Sequence, residues 1–348
     1  MIKSIDKLRR IDVIKDKRDE SVDVLRGIAM LCVLLAHIGC VPEIIMQWLI
    51  PFYVPVFFFI NGYLKRKTNS GVMEIVKRFW RLIIPYILYN FLLIICYIFI
   101  HHIGVQDVIF AIKGILYSRF CFLPDVKIEN NTFFFTVSNS PLWFLTALLS
   151  AEIYYQLFMG RNKERLVIKS IVLLIIGFLA TYLRILLPWS LDTAMIGTIF
   201  MIAGFYWKYV GESSDVWWLL LPIYLLIAYI NPQANMSVRY YGPWKISIIL
   251  FVMAGISGSI LMKKVSEWIV QCRCVEFIKE TFCIIGQNSM SILALHWFLF
   301  SLCDTAIEKM GISIAWRSMY DICKISLTIV LCVAFSKVIR LPLRNKEK

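Results

Sequence analysis

Long apolar runs separated by short polar connectors make up most of the chain. The runs are about 20 residues long, the length that a helix needs to cross the hydrocarbon core of a bilayer. Because every backbone polar group must be paired inside the bilayer, helices are the natural form of these runs. The pattern therefore predicts an all-α, polytopic transmembrane bundle of about ten spans. The spans are expected near residues 24–40, 47–64, 82–100, 142–159, 166–187, 194–209, 216–230, 246–262, 282–302 and 322–339.

Basic residues concentrate in the connectors between the apolar runs. Because cytoplasmic connectors carry the excess of Lys and Arg in membrane proteins, this distribution predicts that both termini lie in the cytoplasm. We expect a basic cytoplasmic segment over residues 1–19, one transmembrane domain over 20–342 and a short cytoplasmic tail over 343–348. The expected location is the plasma membrane, which the chain would cross several times.

The amino-acid composition limits the classes of binding partner that we expect. Of the 348 residues, 59% are hydrophobic and 17% are charged, whereas a soluble domain has about half apolar and about a quarter charged residues. The net charge of +14 could indicate nucleic acid, but membrane topology explains the basic residues better. A second role for them is the attraction of an anionic cytosolic ligand. We therefore expect a lipid bilayer and no nucleic acid as partner.

The ten cysteines form no recognisable metal motif, so no metal is expected.

Arg26 and His37 are the most informative polar residues. Eleven positions separate them, which is about three helical turns, so they share one helix face and lie about 16 Å apart along its axis. Ionisable groups inside a membrane usually face a cavity and serve a function, so the pair predicts a polar passage through the bundle. Two structural alternatives stay open: Arg26 could pair with Asp23 at the membrane surface, and His37 could bond a backbone carbonyl.

A cluster of basic residues follows the second span. It comprises Lys65, Arg66, Lys77, Arg78 and Arg81. These side chains could bind the phosphates of a phosphate-rich cofactor, since the guanidinium group suits phosphate oxygens. The alternative is that they only set topology and bind lipid headgroups.

Other polar positions lie at span ends or within spans. Asn61 precedes Gly62 at the end of span 2, where a glycine lets the backbone approach a ligand or another helix. Trp143 lies at the start of span 4, and the ordinary interpretation of a tryptophan there is the aromatic belt at the membrane surface. Glu152 falls within span 4, and a buried carboxylate needs a partner or a proton.

Span 9 carries a second polar stripe. Ser289 and His296 are seven positions apart on one face, and Asn288 directly precedes Ser289. Hydrogen bonding between helices is the structural alternative to a functional role for this stripe.

Together these features resemble the acyltransferase 3 family of integral-membrane O-acyltransferases. The matching positions are Asp23, Leu25, Arg26, Gly27, Ala29 and His37; residues 58–64; Arg78, Arg81 and Pro85; residues 143–145; and Asn288, Ser289 and His296. The similarity extends roughly from residue 18 to residue 340. Asn61 departs from the family pattern, which more often has Ser before the Gly.

The resemblance implies ten or so spanning helices, a cytoplasmic acyl-CoA donor that is usually acetyl-CoA, and a carbohydrate acceptor in the cell envelope. It also implies that His37 is essential and that Arg26 helps to hold the donor. We therefore expect transfer of an acetyl group to a sugar hydroxyl, with His37 as general base. The phosphates of acetyl-CoA would contact the basic residues at the inner ends of spans 1 to 3. Glu152 would orient a histidine or stay protonated, and His296 would support the catalysis.

An oxyanion forms in such a transfer and needs hydrogen-bond donors. Asn61, Asn288, Ser289 and His296 are the candidate donors, and Trp143 is a candidate substrate contact. One competing hypothesis is a transporter or flippase for a lipid-linked saccharide, which would show no acyl transfer. Another is a membrane sensor that binds its ligand without turnover.

Overall fold

The computed structural model describes residues 18–39, 41–65, 72–119, 141–158, 164–183, 185–211, 217–310 and 317–344. Its regular elements in these ranges are all helical, which confirms the predicted all-α class. The longer helices are α1 Glu20–Ile38, α2 Glu43–Tyr53, α3 Pro55–Tyr63, α4 Val72–His101, α5 Val105–Tyr117, α6 Trp143–Phe158, α7 Glu164–Tyr182, α8 Leu191–Tyr206, α9 Leu220–Ile230, α10 Ser247–Gln271, α11 Glu276–Gln287, α12 Ser289–Lys309 and α13 Arg317–Arg344.

The chain is a multi-pass membrane protein. In the described ranges, seven helical segments are long and apolar enough to cross a membrane. They are Glu20–Ile38, Glu43–Tyr63, Ile75–His101, Pro188–Tyr209, Ser247–Gln271, Ser289–Lys309 and Ser318–Val338. Helices α6, α7 and α9 fall in the other three predicted spans, and the shorter apolar segments Ile168–Tyr182 and Trp217–Ile230 coincide with α7 and α9. The total of about ten spans, the cytoplasmic termini and the domain boundaries stay predictions, and residues 1–17 and 345–348 lie outside the described ranges.

The predicted position of span 9 is wrong by several residues. The structure ends α11 at Gln287 and begins the membrane-length helix α12 at Ser289. Asn288 interrupts the helix between them, with φ −109° and ψ 11°. Because α11 carries Glu276 and Lys279 on a polar face, it forms a separate amphipathic helix and does not extend the crossing segment.

Helix α1 is capped at both of its ends. The carboxylate of Asp19 accepts a hydrogen bond from the backbone N–H of Ser21 at 3.0 Å, which caps the N-terminus. Gly39 ends the helix in a left-handed conformation, with φ 79°. Helix α1 therefore holds Arg26 in its second turn and His37 in its last turn.

A glycine contact brings α11 against the first half of α1. A Cβ atom at Gly27 would lie 2.2 Å from the carbonyl oxygen of Phe282, and one at Gly286 would lie 1.9 Å from that of Asp23. Only glycine permits this backbone approach. The contact places the end of α11, and thus the start of α12, beside the start of α1.

Helix α10 runs antiparallel to α1. The ammonium group of Lys263, in the second half of α10, donates to the hydroxyl of Ser21 at 2.9 Å. Ser247 begins the helix, about 24 Å away along the axis at 1.5 Å per residue. The preceding loop, residues 231–246, therefore lies at the end of the bundle opposite Ser21.

A buried ion cluster ties several segments together. Asp192, at the start of α8, accepts hydrogen bonds from both Nη atoms of Arg119. The Nε atom of Arg239, in the loop 231–246, lies 3.0 Å from Oδ2 of this carboxylate, the oxygen that also accepts from Nη2 of Arg119. Arg239 also donates to the carbonyl oxygen of Ala180 in α7 at 2.7 Å. One carboxylate thus joins the segment after α5, the start of α8 and the loop before α10.

Candidate active site

A cavity of about 690 Å³ lies inside the bundle and connects residues from both of its ends. One end, here called the arginine end, is lined by Arg18, Arg26, Arg78 and Arg81. The other, here called the loop end, is lined by Asn235, Ser237 and Val238 from the loop before α10. His37 also lines this cavity. The structure therefore places Arg26 and His37 on the wall of one cavity, as their shared helix face predicts, while a polar passage through the bundle stays a prediction.

Asp23 holds two arginines at the arginine end. Its side chain is 3% exposed, and its carboxylate accepts from Nε of Arg18 at 2.5 Å, while Nη1 of Arg26 lies 3.7 Å away. Gln287 donates a further hydrogen bond to Asp23 at 3.3 Å. The hydrogen bond to Asp23 raises the pKa of the Arg18 guanidinium above its ordinary value, so this group stays charged.

Glu152 holds a second pair of cations. It is buried and forms ion pairs with Lys65 and, at 3.2 Å, with Arg78. Arg78 also donates to the side-chain oxygen of Asn61 at 3.4 Å. The Glu152 carboxylate thereby fixes Arg78 at the cavity wall and places it beside Asn61.

The arginine end carries more positive than negative charge. The four lining arginines, with Lys65 buried behind them, stand against the two carboxylates Asp23 and Glu152, which leaves an excess of three positive charges. A guanidinium group carries five N–H donors in a fixed fork that matches carboxylate and phosphate oxygens. The charge and geometry of this end are complementary to an anion with several oxygen atoms.

His37 has the geometry of a proton acceptor. Its ring is accessible from the cavity, and its Nδ1 atom lies 2.8 Å from the carbonyl oxygen of Val33. Because a carbonyl oxygen only accepts, Nδ1 carries the hydrogen of the neutral ring, and Nε2 carries the lone pair. The predicted bond to a backbone carbonyl is thus present, and it supports the functional interpretation by fixing the tautomer.

His296 lies directly behind His37. The two ring centroids are 5.1 Å apart, and His296 is fully buried. Its Nδ1 atom contacts the carbonyl oxygens of Ile292 and Leu293 at 3.0 and 2.9 Å, so its Nε2 also bears a lone pair in the neutral ring. The ring of Trp297 lies 4.9 Å from that of His37 on another side. The two aromatic neighbours fix the orientation of the His37 ring.

The structure brings most of the predicted site residues to the cavity. Arg26, His37, Asn61, Arg78, Arg81, Trp143, Ser289 and His296 all line it. Others lie elsewhere. Lys77 is exposed outside the cavity lining, and the Asn288 amide instead donates to the carbonyl oxygen of Ile284 at 2.7 Å. Lys65 is buried against Glu152, and Arg66 lies outside the described residues.

Two expected roles change with these positions. Glu152 has basic partners, so it does not orient a histidine. A neutral His296 presents an acceptor at Nε2, so it is not an oxyanion donor.

In the described ranges, no group of three or more His, Cys, Asp or Glu side chains comes together in a way that could hold a metal ion.

Several cavity residues were not among the candidates chosen from the sequence. Arg18, Gln287 and Trp297 line the cavity, as do Asn235 and Ser237 of the loop before α10. Arg18 had a usable signal, since it lies five positions before Asp23 in the same basic stretch. The other four reach the cavity through tertiary packing alone.

A family model described as an acyltransferase domain matches residues 19–337. The chain belongs to the acyltransferase 3 family. Among curated proteins, no sequence matches the chain. Membership identifies a membrane acyltransferase, and it favours group transfer over the transporter and sensor hypotheses. An acyltransferase 3 protein needs an acyl donor and an acceptor, and the cavity that His37 lines is the candidate place for both.

Proposed function

We propose that this protein transfers an acetyl group from cytoplasmic acetyl-CoA to a hydroxyl group of a cell-envelope carbohydrate at the plasma membrane. The observation that carries the proposal is His37, whose free Nε2 lies in a cavity with a strongly basic end. The basic connectors favour a cytoplasmic position for that end. The acceptor would then approach from the loop end.

The arginine end suits the donor. The phosphates of acetyl-CoA would bind Arg26, Arg78 and Arg81, because forked guanidinium groups match phosphate oxygens. Asn61 lies beside Arg78, and Ser289 begins α12 next to the contact between Gly286 and Asp23. Both therefore lie nearer the arginine end than His37, and we assign them to the amide-bearing arm of the donor. Lys65 and Glu152 lie behind this surface, and the Glu152 carboxylate holds Arg78 in place.

The chemistry follows from the tautomer of His37. The acceptor hydroxyl oxygen attacks the thioester carbonyl carbon while Nε2 of His37 takes the hydroxyl proton. The resulting tetrahedral oxyanion collapses, the carbon–sulfur bond breaks, and the CoA thiolate receives that proton from the imidazolium. The products are the acetyl ester and CoA thiol. The bond to Val33 and the contact with His296 keep Nε2 directed at the reacting hydroxyl.

Acetyl transfer by the purified protein tests this proposal. Radiolabelled acetyl-CoA and a panel of 4-nitrophenyl glycosides are incubated with the protein in nanodiscs, and acetyl esters are identified by mass spectrometry. We expect esterified glycoside with one CoA released per ester. Consumption of acetyl-CoA without any sugar ester would contradict the carbohydrate acceptor, and no consumption of acetyl-CoA would contradict the donor.

Arg26→Ala is expected to weaken donor binding. The loss of a charge-assisted contact to phosphate should raise the KM for acetyl-CoA about 10- to 100-fold, with a smaller effect on kcat. Initial rates over a range of acetyl-CoA concentrations measure this change. Lys279→Ala is the matched control, because Lys279 is a cation of the neighbouring helix α11 that does not line the cavity. An unchanged KM in the Arg26 variant would remove this residue from the donor site.

Glu152→Gln is expected to act through Arg78. Without the carboxylate, Arg78 loses its ion pair at the cavity wall, and the KM for acetyl-CoA should rise about 10-fold. Glu152→Asp should restore part of the affinity, since it keeps the charge. In the double variant with Arg78→Ala, the second substitution should add little to the KM. Full additivity of the two effects would show that Glu152 does not position Arg78.

A further inference from the structure

The loop end of the cavity is formed by a short segment of the loop before α10. Asn235, Ser237 and Val238 contribute to its wall, together with Trp143 at the start of α6 and Tyr53 at the end of α2. This wall differs from the arginine end in chemistry, because it combines aromatic rings with an amide and hydroxyl groups and carries no charged side chain among these five residues.

The segment is held in one conformation by its own hydrogen bonds. The backbones of Asn235 and Tyr240 exchange hydrogen bonds of 2.6 and 3.1 Å. The side-chain oxygen of Asn235 accepts from the N–H of Ser237 at 2.9 Å, and its amide nitrogen donates to the hydroxyl of Tyr53 at 3.3 Å. Asn235 therefore closes the turn and connects it to α2.

Arg239 anchors the turn from behind. Its backbone has φ 56°, a left-handed conformation that a non-glycine residue adopts only where its surroundings hold it. Its buried guanidinium lies between Asp192 and the carbonyl oxygen of Ala180. The residues directly before Arg239 are Ser237 and Val238, so the anchor fixes the two side chains that face the cavity.

We propose that residues 235–238 select the acceptor, which docks as a sugar ring against Trp143 with its hydroxyl groups toward Asn235 and Ser237. A sugar has apolar C–H faces that suit an aromatic ring and hydroxyl groups that suit an amide and a serine. Binding here directs one hydroxyl along the cavity toward His37. This inference rests on the proposed acetyl transfer and adds the residues that determine which sugar is accepted.

Val238→Trp tests the inference, because a bulky side chain would narrow the loop end without touching the arginine end. With 4-nitrophenyl glycosides as acceptors, we expect the acceptor KM to rise about 10-fold or more, while the Kd for acetyl-CoA stays within about twofold of the wild type. Ser237→Ala is the milder second variant, with a rise of about threefold. Lys245→Trp is the control, because Lys245 is exposed on the same loop outside the cavity.

The outcomes separate this inference from the proposed function. An acceptor KM within about twofold of the wild type in both Val238→Trp and Ser237→Ala would overturn the inference while leaving acetyl transfer intact. A Kd for acetyl-CoA that rises as much as the acceptor KM would also overturn it, since the loop would then act on the whole site. A wild-type protein that acetylates no glycoside would instead count against the proposed acceptor class.

Discussion

His37→Ala is expected to lower kcat for acetyl transfer by about 10²- to 10⁴-fold, the range that a general base contributes. The reason is the geometry of the ring: the bond of Nδ1 to Val33 leaves Nε2 as the proton acceptor inside the cavity. The Kd for acetyl-CoA should stay within about threefold of the wild type, because the donor phosphates would bind at the other end of the passage.

The control for this variant is His101→Ala. It removes an imidazole at the end of α4, outside the cavity lining, and should leave kcat near the wild-type value. Equal insertion and equal unfolding midpoints would show that both variants fold. Turnover in His37→Ala within about tenfold of the wild type would exclude His37 as the general base.

Asp192→Ala is expected to have the largest effect on stability. The substitution leaves the buried guanidinium groups of Arg119 and Arg239 without their shared carboxylate. Removal of one partner from a buried ion pair costs about 3–5 kcal/mol, because the remaining charge has no compensation. Unfolding by sodium dodecyl sulfate in mixed micelles, followed by circular dichroism, measures the change.

Glu308→Ala provides the comparison for Asp192. Glu308 is an exposed carboxylate near the end of α12, and its loss should change the free energy of unfolding by less than about 0.5 kcal/mol. A similarly small effect of Asp192→Ala would show that the ion cluster contributes little to the stability of the bundle. The ion cluster would then not hold the loop before α10 in a fixed position.

The part of the site that lies on one helix could be predicted from the sequence. Arg26 and His37 share a face because the helical period fixes their relation, and Asp23 pairs with Arg26 because residues three apart are neighbours. The all-α class follows equally directly from the length of the apolar runs.

The long-range part could not be predicted, because it depends on how the helices pack. Lys65 and Glu152 are 87 positions apart, and nothing local indicates that they pair. Gln287 reaches Asp23 only because Gly27 and Gly286 let two backbones touch. The wall formed by Asn235 and Ser237 lies in a loop without regular structure, so no periodicity indicates where its side chains point.

The sidedness of the reaction tests the central claim most directly. Inverted membrane vesicles that carry the protein expose the proposed donor side outward, and they are loaded with a 4-nitrophenyl glycoside before radiolabelled acetyl-CoA is added outside. The account predicts that acetylated glycoside accumulates inside the vesicles in the wild type and not in His37→Ala. Acetylated glycoside that forms only when donor and acceptor share the outer solution would contradict a passage that serves His37 from two sides.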